Sequence, residues 1–367
     1  MNLQLNDVQQ QLQDSLERLL AREYDFAHRQ QYVAAEAGHA PQVWAQLAEL
    51  GVTAAAIDEA HGGFGGDAVD HMMISQALGK CQSLEPYHGT VVMSATAIGL
   101  AGSDAQRARL LPRIAQGELQ VAWAHGEAVA GRVSTRASHD LDGWRVHGAK
   151  PCVLHCAGAD YVVVTALVAG DGPQLFLIDP RAQGVRRDGY RLIDGTPAAD
   201  LTFDGAPAWR VGGRHSSAVL QRVLDTGISA ACAEMVGAME GAYMLTVAYL
   251  KTRKQFGRLI GANQALQHRA VDMLAALEQS RSLSLSLALT LAGRNDLTGA
   301  SVPSHAAKVF ITQNARHVAQ EAIQMHGGIG MTEEYAVGHY LRRILVLDQL
   351  HGDMQYHLGC LEGRPLE

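Results

Sequence analysis

Arg253-Lys254-Gln255-Phe256-Gly257-Arg258-Leu259-Ile260, followed toward the end of the chain by Gln324-Met325-His326-Gly327-Gly328-Ile329-Gly330, is the pair of stretches on which the reading turns. A diphosphate asks for a guanidinium, which can meet two oxygens at once, and for backbone N–H groups left free at a turn or a helix start. Arg253 supplies the first, and the glycine turn supplies the second. An adenosine also needs an apolar wall, which Phe256 offers. Either stretch alone reads equally well as the end or the start of a helix. Jointly they read as the holder of an adenine dinucleotide.

Outward from these motifs, the bulk properties bound the problem. At 367 residues the chain exceeds what one hydrophobic core usually organises, so two or three packed sub-domains are expected. Its 30 Lys+Arg stand against 37 Asp+Glu without a dense basic run, which gives no electrostatic footprint for nucleic acid. The stretch Met1 to Asp7 has neither a basic nor an apolar region of the kind that directs export, and no later apolar run reaches the length of a bilayer span. A soluble, cytoplasmic protein without a membrane partner is the expectation. Five cysteines, Cys81, Cys152, Cys156, Cys232 and Cys360, form no paired framework, and the odd count suits a reducing compartment. Cys152, His155 and Cys156 lack a second ligand pair at finger-like spacing, so no metal is expected.

Texture changes twice along the chain. Asn6 as N-cap with Gln9 three residues on, then Val8, Leu12, Leu16, Leu19 and Leu20, predicts an amphipathic helix. Further helices are expected from Pro41 to Gly51, Ala68 to Leu78 and Thr90 to Leu100, while His61-Gly62-Gly63-Phe64-Gly65-Gly66 reads as a connecting loop because no strand precedes it. Short β-rich runs follow at 121–123, 144–146, 161–164, 175–178 and 201–203. Long Ala/Leu/Met-rich segments then return, Ala218 to Arg253, Asn263 to Ala292, Pro303 to Met325 and Thr332 to Leu361, predicting a four-helix bundle. The domains expected are 1–117 helical, 118–212 β and 213–367 helical bundle, an α+β chain.

The two motifs, their spacing and this order of domains resemble the acyl-CoA dehydrogenase family, and the likeness runs from the first helices to the last turn. It implies the cofactor FAD and an acyl-CoA substrate. In the family the motifs R-x-[QT]-F-G and Q-x-x-G-G-x-G hold the diphosphate and adenosine of a flavin seated mainly in a neighbouring subunit. Matched residue by residue, the holder here is Arg253, Gln255, Phe256, Gln324, Gly327 and Gly328, with Ile260 at the end of the first stretch.

The family reaction takes an α-proton from an acyl thioester as the β-hydride moves to the flavin, and a carboxylate usually serves as base. Here the resemblance breaks. In the Y-E-G-T position the chain reads Leu350-His351-Gly352-Asp353, with His351 in place of the glutamate. The alternative glutamate position of some members falls on Gly227. Asp225 and Glu234 share that helix but match neither position, and His351 has the pKa range of a general base. Asp353 could orient His351 or cap a turn. Where members carry Y-x-x-T-E-P, this chain has Trp123-Ala124-His125-Gly126-Glu127-Ala128, and W-I-[TS]-N is replaced by Cys152-Val153-Leu154-His155, although Gly148-Ala149-Lys150 keeps the preceding G-x-K. Backbone N–H groups near His125, Gly126 and Leu154 could still meet flavin oxygens, since such contacts do not depend on the side chain.

The stretches Glu85-Pro86-Tyr87, Gly148-Ala149-Lys150, Tyr249 to Gly257, His326 to Thr332 and Val337-Gly338-His339-Tyr340 resemble the small subunits of pimeloyl-CoA dehydrogenase-like enzymes, which generally lack the glutamate as well. Three functions follow as expectations. The first is an FAD-dependent acyl-CoA dehydrogenase subunit paired in a hetero-oligomer with a glutamate-bearing acyl-CoA dehydrogenase subunit. The second is a self-sufficient homo-oligomer, dimer or tetramer, using His351 or another base. The third is a non-catalytic acyl-CoA-binding or assembly protein. An electron-transferring flavoprotein is the electron acceptor the resemblance implies.

Overall fold

A computed structural model of the chain describes residues 5–213, 216–293 and 301–363. The reading of the N-terminus as lacking an export signal falls partly on residues 1–4, outside the described residues. Six α-helices come first: α1 (Asp7–Glu23), α2 (Phe26–Ala34), α3 (Pro41–Glu49), α4 (Ala68–Cys81), α5 (Thr96–Ala101) and α6 (Asp104–Ala115). The expected Asn6/Gln9 capping box closes the start of α1, where each side chain meets the other's backbone N–H. Leu16, Leu19 and Leu20 are buried, whereas Val8 at the front of the same stripe stays exposed. The stretch expected as one helix from Thr90 to Leu100 is a π-helix, His88–Ala95, running into α5. Such wide turns are uncommon and concentrate at functional sites.

The middle of the chain is a closed barrel. Strands β1 (Val121–Ala124), β2 (Arg136–Asp140), β3 (Gly143–Leu154), β4 (Tyr161–Val168), β5 (Gly172–Ile178), β6 (Val185–Arg191) and β7 (Pro197–Arg210) form one sheet. Pairing runs β4–β2–β3–β7–β5 and returns from β5 to β4, with β1 added alongside β4 and β6 alongside β7. Closure leaves few free edges to protect. Ala137, Val146, Val162, Val164, Phe176 and Phe203 fill its core. Strands β2 and β6 add to the five β-rich runs expected.

Beyond the barrel come α7 (Ser216–Thr252), a two-residue-strand hairpin of β8 (Lys254–Gln255) and β9 (Arg258–Leu259), then α8 (Gln264–Ala292), α9 (Ser301–His326), α10 (Val337–Gln349) and α11 (Met354–Leu361). The fourth bundle segment was expected as one helix to Leu361 and is two. His351 (φ 62°) and Gly352 (φ 101°) both take left-handed backbone, which an α-helix cannot continue through. Asp353 then N-caps α11 by accepting from Tyr356 N at 2.8 Å, which assigns it the capping role. The first half of α7 shares a core with the N-terminal helices and the barrel, while its second half packs with α8, α9 and α10. That one helix therefore carries both halves of the candidate site.

Candidate functional site

At the end of α7, the chain turns through Phe256 (φ 50°) and Gly257 (φ 76°) between β8 and β9. Two consecutive left-handed residues make a tight hairpin of the type whose twist suits paired strands. Phe256 is 101% exposed, its ring facing solvent instead of any core. Arg253 and Gln255 are exposed too, and the Arg253 side chain has no hydrogen bond or ion pair among the described residues. By contrast the neighbouring Arg258 is held by Asn263 Oδ1 at 2.6 Å.

The second motif comes to the same place. Tyr249, one turn before Arg253, stacks on His326 at 4.4 Å between ring centroids, and Tyr335 packs against both. His326 is the last residue of α9, so Gly327 and Gly328 open a 3-10 turn beside the end of α7. Gln324, Gly327 and Gly328 are exposed, Ile260 is half-buried, and a side chain built on either glycine would meet nothing within 4 Å. The residues thus fit a dinucleotide's diphosphate end: a free guanidinium, an unobstructed glycine turn and an uncovered aromatic ring on one surface.

The other half of the site lies near the start of α7. His351 Nε2 and His88 Nε2 are 2.8 Å apart, one donating to the other, with the rings stacked at 5.1 Å. Gly227 stands directly against them: a Cβ placed there would lie 2.9 Å from His351 Nε2 and inside contact distance of Met93 Sδ. The two alternative base positions read from the sequence therefore converge on one point, and neither brings a carboxylate. Burial, reinforced by His88, Lys308, His125 and His357, pushes the His351 pKa well below the usual histidine range. His88 falls to about 3, again by burial first, with Arg343 and Lys308 adding to it. Lys308 is fully buried and donates to Leu347 O and Leu350 O at the C-terminal end of α10. Glu234 is bound to Arg343, and Asp225 is buried with its Oδ1 accepting from Gln221.

His88 was invisible to sequence reasoning. It lies 263 positions from His351, and only the π-helix brings His88 and Met93 to the same face. Gly227→Ala is accordingly expected to lower stability by ~1–3 kcal/mol through overpacking against Met93 and the histidine pair. A urea midpoint compared with wild type measures it.

The barrel side holds the remaining candidates. His125 follows β1, its Nδ1 is 3.1 Å from Thr165 Oγ1, and its ring stacks on Trp123. Burial lowers its pKa to about 4. The His125 carbonyl accepts from Lys150 Nζ at 3.1 Å, Gly126 is exposed, and Leu154 is half-buried at the end of β3. Trp123 Nε1 and His88 Nδ1 are buried without a protein partner, as atoms facing a bound ligand or water would be. Glu127 and Lys150, the acidic and basic residues retained from two motifs, pair with each other at 2.6 Å in the interior. Burial alone would raise the Glu127 carboxyl, but bonds from Lys150, Ser134 and Thr135 outweigh it and hold the pKa at about 2. A carboxyl depressed below its unfolded value contributes stability above roughly pH 4 and loses it as pH falls toward 2. Glu127→Gln is therefore expected to be less stable at neutral pH and to show a flatter loss between about pH 5 and pH 2 in acid-denaturation curves.

Geometry separates the two halves. Gly227 and the C-terminus of α7 at Thr252 are joined by continuous helix, about 37 Å at 1.5 Å per residue. That exceeds the reach of a single extended dinucleotide. Among the described residues no group of three or more His, Cys, Asp or Glu could hold a metal, and no helix is long and apolar enough to cross a membrane.

Comparison with known proteins gives two family matches, "Acyl-CoA dehydrogenase, N-terminal domain" over residues 6–118 and "Acyl-CoA dehydrogenase, C-terminal domain" over residues 218–364. The chain is 27% identical to a probable acyl-CoA dehydrogenase, YngJ, of Bacillus subtilis, covering 93% of each. Among solved structures it is similar to a Tcur3481-Tcur3483 steroid ACAD variant, with TM-score 0.87 and 28% identity over 97% of this chain and 96% of that one. The ChsE4-ChsE5 complex of Mycobacterium tuberculosis shares the fold, with TM-score 0.91 and 22% identity over 99% and 98%.

Proposed function

The chain belongs to the acyl-CoA dehydrogenase family, and from that membership we propose that it is an FAD-dependent subunit of a hetero-oligomeric acyl-CoA dehydrogenase. In this reading a glutamate-bearing partner supplies the base, and this chain is the small subunit of the pair. One arrangement carries the reading: an intact diphosphate holder at the end of α7 stands about 37 Å along that helix from the altered base position at Gly227. The holder at Arg253 and Gly327 then serves a flavin whose ring lies in an adjoining subunit. His351 supports the same division. A ring kept neutral by burial, with the Lys308 ammonium nearby, is a weak acceptor for the proton of a weakly acidic carbon. The double name of the Tcur3481-Tcur3483 relative supports a two-component assembly.

The flavin, when bound, supplies the hydride acceptor for the α,β-desaturation. This chain's residues would do the holding: the Arg253 guanidinium and the Gly327–Gly328 turn would meet the diphosphate, and Phe256 would cover the adenosine. Electrons leave to an electron-transferring flavoprotein. The test is optical. The chain purified with a glutamate-bearing partner should be yellow and bleach with an acyl-CoA, whereas the chain alone should never bleach. Bleaching by the chain alone, abolished in His351→Ala, would replace this reading with a self-sufficient enzyme. A colourless complex would favour a non-catalytic acyl-CoA-binding protein.

A further inference from the structure

Between α1, α2, the end of α4 and the start of α10 lies a cavity of about 270 Å³, near the lower end of the ~300–1,000 Å³ usual for small-molecule sites. None of the residues discussed so far for flavin or proton transfer lines it. Arg29 does, at 2% exposure. Its Nε donates to Gln82 O at 2.9 Å and its Nη2 to Asp194 O at 2.7 Å. Both acceptors are neutral carbonyls. The Asp194 carboxylate is already taken by Arg343 and by Thr196, so Arg29 has no carboxylate within ion-pair distance. Nη1 makes no bond to protein, yet it is not among the sealed polar atoms without a partner. Nη1 therefore contributes to the little surface that Arg29 retains, and Arg29 lines the cavity wall.

A buried guanidinium served only by neutral carbonyls is costly to hold, and burial pulls its pKa down despite the attraction of Asp194. We propose that this cavity binds a small monocarboxylate, its oxygen on Arg29 Nη1 and its apolar body against Leu20, Phe26 and Ala77. A single free N–H-bearing nitrogen suits one carboxylate oxygen better than a phosphate, which asks for several donors. Glu17 lines the same cavity and would repel a dianion more than a monoanion. The aliphatic and aromatic walls favour a short hydrocarbon chain over a polyol.

Hexanoate and its uncharged analogue hexanamide, titrated by calorimetry into the full-length protein, separate the charge from the hydrocarbon. Hexanoate should bind, and hexanamide roughly tenfold or more weakly, the difference a hydrogen bond to a charged group makes. Ala336→Leu, which narrows the cavity without touching Arg29, should abolish binding while leaving flavin content and turnover unchanged. Equal affinities for the two probes, hexanoate binding that survives Ala336→Leu, or no binding at all would each overturn the proposal.

Discussion

Arg343→Met is expected to destabilise the fold by ~3–5 kcal/mol, the cost of leaving buried carboxylates without their cation. Arg343 on α10 donates from Nε to Glu234 Oε1 at 2.7 Å and from Nη1 to Asp194 Oδ2 at 2.8 Å and Thr196 Oγ1 at 3.1 Å. All four residues are buried. The carbonyl of the same Asp194 holds Arg29 of α2, so one cluster ties α2, α7, α10 and the β6–β7 turn together. Because a domain's net stability is only ~5–15 kcal/mol, this loss would shift a urea midpoint far. Replacing Arg343, Glu234 and Asp194 together by apolar residues of like volume should recover much of it, since no charge is then left buried alone. A loss below about 1 kcal/mol in the single variant would show that the cluster is not the joint described. Its place matters for the site. Glu234 is about two turns past Gly227 on α7, and Arg343 about two turns before His351 on α10, so the cluster sets the spacing of the helices that face each other there.

The fold was legible where the determinants were local. The Asn6/Gln9 box, Pro41 at a helix start and the β-rich runs around Val163 and Leu177 each depend on residues within a few positions. Strands β2 and β6 were not legible, because Arg136 to Asp140 and Val185 to Arg191 are mostly exposed and charged, with no apolar alternation to mark them. The break before α11 was hidden for the opposite reason: apolar residues continue on both sides of it, and it is made by the left-handed backbone of His351 and Gly352. The candidate site divides in the same way. Arg253, Phe256 and the glycine pair announce themselves through turn geometry and the chemistry of phosphate. His88, the Arg343 cluster and Arg29 act through partners distant in the chain, and no spacing rule reports those.

Flavin retention gives the other large effect. In the proposed complex with a glutamate-bearing partner, Arg253→Ala is expected to weaken flavin binding roughly 10- to 100-fold, the range for losing a hydrogen bond between charged groups. Nothing among the described residues competes for that guanidinium, so its removal costs the protein alone very little stability. Gly327→Val should act at the same place by a different route. Its φ of 65° is strained for a β-branched residue, and the new side chain would stand on ground now open to a ligand. Arg258→Ala serves as the control, because Asn263 already holds that side chain and it should retain flavin. The flavin-to-protein ratio after gel filtration reads all three. Loss should deepen with salt, since exposed charges are screened, and should be suffered by flavin bound at the interface with the partner. If Arg253→Ala keeps its full complement, or if Arg258→Ala loses as much, the holder lies elsewhere and the division of labour along α7 falls with it.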